Sequence, residues 1–217
     1  MRTVGGVFIV LEGDDGVGKT TQLDALAQTL RGAGLSVTTT REPGGSPNLG
    51  PELRRLLLTS GVEIGDRAEA LLFAADRAEH VRTVIAPALA RGEVVLCDRF
   101  SDSTLAFQGG GRGLPFDDLI DLSTFATDGL RPDLVVVLDM PPEHAAERVA
   151  ARATPDRIEA AGLGEGVREF FLSRAAAHPD RYVVVDASGS VEDVAQRLRE
   201  GVLPRILAGQ RPVTVGG

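Results

Sequence analysis

Between Gly13 and Thr20 the chain reads GDDGVGKT, and Gly13, Gly18, Lys19 and Thr20 keep the spacing G-x-x-x-x-G-K-[ST]. Residues of these types at this spacing bind phosphate. Glycines let the backbone wrap closely enough for its N–H groups to reach phosphate oxygens, and a helix beginning at the loop turns its positive dipole end to the same anion. The whole stretch, with Asp14, Asp15, Gly16 and Val17 at the variable positions and Thr21 after it, is the expected nucleotide cradle. Lys19 brings a mobile point charge to the outer phosphates, and the Thr20 hydroxyl is placed to ligand magnesium. Lys19 is also the sole lysine, every other basic residue being arginine. A chain so biased towards arginine keeps lysine where this loop needs a compact ammonium rather than a planar fork.

Further candidates lie in loops and on one helical stretch. Asp98 ends an apolar run and takes the position of a carboxylate that holds magnesium through water, and Arg99 beside it is placed to face a phosphate. Phe73 and Arg77 are four residues apart in a helical pattern, side by side on one surface. An aromatic face beside a guanidinium can clamp a planar ring, or the pair can be a core-edge phenylalanine next to a solvated arginine. Arg41-Glu42-Pro43-Gly44-Gly45 reads equally as a plain turn or as part of a site. The segment ARATPDRIEAAGLGEG carries Arg152, Arg157 and Glu159. At about 152–163 it reads as a lid able to bring arginines to a transferred phosphoryl group, or as a solvated helix connection. The turn Asp186–Gly189 is a candidate rim for an adenine ring.

What must position these residues is a set of short apolar strands alternating with longer helices. Strands are expected at Val7–Leu11, Leu35–Thr40, Val94–Asp98, Leu134–Asp139 and Tyr182–Asp186, as near-continuous apolar runs suited to a sheet covered on both faces. The fold expected is an α/β single domain over residues 1–217: a doubly wound, five-stranded parallel sheet flanked by helices, with ligands at the carboxyl ends of the strands. One long helix is expected from Asp66 to Arg91, its core stripe formed by Leu71, Ala74, Ala75, Ala78, Val81 and Ile85.

Composition narrows the function classes. A net charge of −8 argues against non-specific nucleic-acid binding and offers no membrane attraction, so cations must be gathered locally if the ligand is anionic. The lone Cys97 makes no internal disulfide and suits a reducing, cytoplasmic setting. His80, His144 and His178 are scattered and form no metal motif. No stretch reads as a signal peptide or approaches membrane-spanning length.

Together these stretches resemble the bacterial thymidylate kinases. The phosphate loop, REPGG at Arg41–Gly45, LLFAADRAEH at Leu71–His80, DRFSDSTLAFQGGGRG at Asp98–Gly113 and DRIE at Asp156–Glu159 fall in that family's order and spacing. The resemblance implies transfer of the γ-phosphoryl group of ATP to dTMP with magnesium. It implies that Phe73 stacks on thymine, that Arg77 bonds its O4 edge, and that Arg99 holds the dTMP phosphate. Ser103, Thr104 and Gln108 would line the base and sugar side, with Pro43 and Arg54 nearby. Asp15 would accept from the 3′-hydroxyl, and Phe107 stands near the 2′ carbon where most members have tyrosine. Since the phosphate loop holds no arginine, Arg152 and Arg157 of the lid would supply the catalytic charge, with Glu159 near the acceptor. A homodimer is implied as well. A kinase for another nucleoside monophosphate and an ATP-dependent binding module are the competing readings. A GTPase switch is not among them, because its N-K-x-D signature cannot be built from the lone Asn48 and Lys19.

Overall fold

The computed structural model describes residues 6–59, 61–150, 158 and 164–209. Five parallel strands form one sheet: β1 (Val7–Glu12), β2 (Val37–Arg41), β3 (Val94–Asp98), β4 (Leu134–Asp139) and β5 (Tyr182–Asp186), in the spatial order β2-β3-β1-β4-β5. Every residue of β1 is buried, and its side chains alternate between two cores. Val7, Ile9 and Leu11 pack with the helices α1 (Lys19–Gly32) and α9 (Val191–Gly209), whereas Phe8 and Val10 pack with Val81, Ile85 and Ala88. This two-sided cover is what the unbroken apolar runs announce. Cys97 lies fully buried in β3, where burial pushes its thiol pKa well up.

The order of strands matters for function. It sets the carboxyl ends of β2, β3 and β1 side by side, with Arg41 paired to Asp98 and Leu11 to the same residue from the other side. The loops after these three strands therefore meet at one edge of the sheet.

Three expectations need correction. β2 starts at Val37 rather than Leu35 and runs on to Arg41. Leu35 packs on the core from a turn, its N–H donating to the Leu30 carbonyl at the end of α1, so its apolarity marks a contact and not a strand. β2 is also an edge strand, VTTTR, and is only half buried. The expected helix from Asp66 to Arg91 is interrupted: α3 (Asp66–His80) passes through a widened π-helical turn over Val81–Ile85 into α4 (Ala86–Ala90). Pro87, with no N–H to return to the preceding turn, lies just beyond that widening.

The core stripe of this helix is rotated. Ala74, Val81 and Ile85 are buried as expected, but Leu71 is 58% exposed and Ala75 faces outward. The buried face of α3 instead carries Glu69, Asp76, Arg77 and His80. Hydrophobic phase alone misplaces it because these charged side chains find buried polar partners. Among the described residues no helix is long and apolar enough to cross a membrane.

Candidate active site

The phosphate loop leaves β1 in a conformation closed to most residues. Gly13 has φ 136°, and a Cβ there would lie 2.4 Å from the Leu138 carbonyl oxygen of β4. Lys19 opens α1 and curls back over the loop, its Nζ donating to the carbonyls of Asp14 at 2.7 Å and Gly13 at 3.2 Å. Burial, aided by the charge of Arg99, pushes its pKa below the ordinary lysine value. Lys19, Thr20 and Thr21 line one cleft together with Asp15, Gly16 and Gly18. Gly13, Asp14 and Val17 line a small space on the loop's other side, against β4.

Thr20 Oγ1 donates to Asp98 Oδ2 at 2.6 Å. A hydroxyl and a carboxylate so close, at the mouth of a phosphate loop, offer the oxygen-only donors that a hard divalent cation prefers. Among the described residues there is no cluster of three or more His, Cys, Asp or Glu able to hold a metal unaided. The donor set fits an ion that keeps waters and shares phosphate oxygens, as magnesium does.

Arg99 follows Asp98 with a left-handed backbone, φ 68°, and its guanidinium turns in towards the phosphate loop. It donates to Gly13 O at 3.1 Å, to Ser103 Oγ at 3.1 Å and to Asp15 Oδ1 at 2.5 Å, and it lies 4.9 Å from the Phe107 ring centroid. Burial opposes its charge, but the carboxylates of Asp15 and Glu12 outweigh that and hold its pKa above the ordinary arginine value. Asp15 stands between two cations, 3.8 Å from Lys19 Nζ.

Glu12, which sequence reading passes over, is the residue behind this arrangement. It is 0% exposed, at the last position of β1. Its carboxylate accepts from Phe100 N–H at 2.9 Å, Ser103 N–H at 3.3 Å and Ser103 Oγ at 2.6 Å. It thereby caps, from another strand, the helix α5 (Ser101–Thr104), which has no side-chain cap of its own. Burial raises its pKa from an ordinary 4.5 to about 7, against the pull of Arg99. The one available signal was a glutamate ending an otherwise apolar central strand, directly before the loop.

Across the cleft, of about 230 Å³, stand Pro43, Arg54, Phe73, Arg77, Ser103, Thr104, Phe107 and Gln108. Arg77 is not solvated but 1% exposed, its Nε on Glu42 Oε2 at 2.8 Å and its two Nη atoms on Thr104 Oγ1 and Phe100 O, each at 3.1 Å. Glu42 also faces His80 Nδ1 at 3.0 Å. The segment Arg41–Gly45 is therefore more than a turn. A Cβ on Gly45 would lie 2.4 Å from His80 Nε2, and Gly44 N–H donates to Asp76 at 2.9 Å. Arg54 Nη1 donates to Pro43 O at 2.7 Å. Arg148, assigned no role from sequence, reaches Gly189 O at 3.4 Å and lies beside Gly18. Of the expected lid, Ile158 lines the cleft; Arg152, Arg157 and Glu159 lie outside the described residues.

The structure thus brings the loop lysine Lys19, an inward-facing arginine and an aromatic–arginine pair into one cleft. A sequence profile described as Thymidylate kinase matches residues 11–198. The chain belongs to the thymidylate kinase family. It is similar over nearly its whole length to the thymidylate kinases of Pseudomonas fluorescens (strain SBW25), 48% identical over 209 residues covering 95% of this chain and 99% of that one, and of Clavibacter sepedonicus, 51% identical over 209 residues covering 94% and 98%. That of Pseudomonas putida (strain GB-1) is 50% identical over 205 residues, covering 93% and 97%. The family match spans β1 to α9 and therefore takes in every described loop that lines the cleft.

Proposed function

We infer that this protein transfers the γ-phosphoryl group of ATP to dTMP, giving dTDP and ADP. The observation that supports the reading is the shared cleft: Lys19, Arg99, Phe73 and Arg77 all line it, two cations for phosphates and an aromatic–arginine pair for a planar base. Phosphoryl transfer asks for two phosphates in line, excluded water and neutralised charge rather than covalent help from the protein. Lys19 and the loop N–H groups hold the donor phosphates, and Arg99 holds the acceptor phosphate. Asp15 accepts from the sugar 3′-hydroxyl, and Arg152 and Arg157 bring further charge from the lid. Thr20 and Asp98 would hold magnesium, which when bound would supply positive charge to the phosphate oxygens. A phosphate-transfer panel with ATP and dTMP, dUMP, UMP, CMP or GMP tests this. Turnover should be highest with dTMP, and a clear preference for another monophosphate would refute the assignment.

Phe73 provides a flat apolar face whose loss should weaken base binding more than chemistry. Phe73→Ala is expected to raise the KM for dTMP by about tenfold or more, on the scale of one base–aromatic stack, with kcat little changed. Steady-state kinetics check this, and an unchanged KM would remove the stacking role.

We also propose that the protein is a cytoplasmic homodimer. Leu71 on α3 and Phe125 on α6 (Phe116–Thr127) are 58% and 88% exposed, and these two helices pack against each other. Exposed side chains of this size on adjoining helices fit a covered surface. Sedimentation should show two 22.8-kDa chains associated. The Leu71→Glu, Phe125→Glu double variant should sediment as a monomer, and a monomeric wild type would rule the proposal out.

A further inference from the structure

Gln108 is 2% exposed in the cleft wall, and its Nε2 donates to Glu69 Oε1 at 2.9 Å. Glu69 is itself 0% exposed and faces the Arg112 guanidinium, with Arg112 Nη2 3.3 Å from Oε2. A carboxylate facing an arginine has only acceptors to offer. The NH₂ of Gln108 must therefore point at Glu69, and its carbonyl oxygen must point the other way. Among the described residues no donor pairs with Gln108 Oε1.

On the same helix face, Arg77 presents the opposite polarity. Glu69, Phe73 and Arg77 are successive at i, i+4 and i+8 of α3, so they share one face: Phe73 and Arg77 line the cleft, and Glu69, one turn away, stands behind its wall against Gln108. The guanidinium of Arg77 is fixed by Glu42, Thr104 and the Phe100 carbonyl, and it has only donors. The pocket thus offers a donor from Arg77 and an acceptor from Gln108. A pyrimidine with a carbonyl at position 4 and an N–H at position 3 complements that pair. A 4-amino pyrimidine, with a donor at 4 and an acceptor at 3, opposes it at both points.

We propose that Glu69 is a positioning residue that fixes the sense of the Gln108 amide and so makes the pocket select 4-oxo over 4-amino pyrimidine nucleotides. This rests on the dTMP kinase reading above. Glu69 touches no substrate in this scheme; it acts through Gln108. Its contacts to Arg112 are longer, and Arg112 is also shared with Asp66 at 3.6 Å, so neutralising Arg112 is not its sole use.

The test is the ratio of kcat/KM for dTMP to that for dCMP, a quantity independent of how much enzyme is active. In Glu69→Gln the new amide can donate as well as accept, so Gln108 can turn either way. The ratio should fall by about tenfold or more, through a higher KM for dTMP, with kcat for dTMP within about threefold of wild type. Glu69→Asp, which keeps the carboxylate but withdraws it from the amide, should lower the ratio likewise and serves if the first variant does not fold. Arg112→Lys keeps a cation facing Glu69 and leaves Gln108 its acceptor, and its ratio should stay at the wild-type value. An unchanged ratio in the Glu69 variants overturns the inference, as does an equal fall in Arg112→Lys, which would mark general loosening. A wild-type enzyme that takes dCMP as readily as dTMP overturns the dTMP reading itself, and this inference with it.

Discussion

Arg99→Ala should lower kcat with dTMP and ATP by about 10³ or more, the scale of losing one arginine that stabilises a transferred phosphoryl group. Among the described residues Arg99 is the one guanidinium that touches the phosphate loop backbone, the loop carboxylate Asp15 and Ser103 at once. Its removal takes from Asp15 the closer of its two cations and from the cleft the cation proposed to hold the acceptor phosphate. Lys19 keeps its own bonds to the Asp14 and Gly13 carbonyls without Arg99, so KM for ATP should move less than kcat. The left-handed backbone at position 99 is no harder for alanine than for arginine, since both have a Cβ. The loss is therefore one of electrostatics rather than strain. Arg99→Lys keeps a charge but not the fork that spans Gly13, Ser103 and Asp15, and it should recover only part of the rate. Coupled-assay kinetics decide the matter: a kcat for Arg99→Ala within about tenfold of wild type would contradict the role given to this side chain.

How much of this was readable beforehand depends on whether a residue's role is local. The phosphate loop is a contiguous motif whose strand and helix are written beside it, so Gly13, Lys19 and Thr20 could be placed without coordinates. Strands β1, β3 and β4 were legible for a similar reason: burial on both faces leaves an uninterrupted apolar run, and β5, an edge strand with Val184 exposed, keeps such a run in Tyr182–Val185 all the same. β2 was harder because an edge strand needs no such run, and its threonines carry little signal. The face of α3 was misread at Leu71 because amphipathic phase assumes that what is buried is apolar. Here the buried side carries Glu69, Asp76, Arg77 and His80, each answered by groups distant in sequence. Glu12 and Glu42 were missed on the same account. Their partners lie 88 and 35 residues away, and no spacing rule joins them until the sheet order does.

Glu12→Gln should gain stability above neutral pH while losing rate, and the two effects have one cause. The carboxylate is fully buried, and burial lifts its pKa from 4.5 to about 7. Between pH 4.5, where the unfolded chain gives up this proton, and about 7, where the folded one does, the native state holds the extra proton. Stability from this group therefore declines as pH climbs through that window, and above pH 7 the full penalty of a buried charge is present. The displacement corresponds to about 3 kcal/mol at most. Glutamine does not titrate, so the variant should be level with or below wild type in unfolding free energy at pH 5 and more stable than it at pH 8, by about 1–3 kcal/mol. The rate should move the other way. In the wild type Ser103 donates to Glu12 Oε2 and accepts from Arg99, so a chain runs from the buried charge through a hydroxyl to the guanidinium. An amide at position 12 points a second donor at Ser103, whose own proton must then go elsewhere, and Arg99 loses its register with the phosphate loop. Displacements on the order of 1 Å at reacting groups cost about 10² in rate, and kcat should fall by about that much. Denaturant titrations at pH 5 and 8 with kinetics at pH 8 test both halves. A variant as active as wild type would reduce Glu12 to a helix cap. A stability difference that does not widen from pH 5 to pH 8 would mean that the native carboxylate ionises like an exposed one.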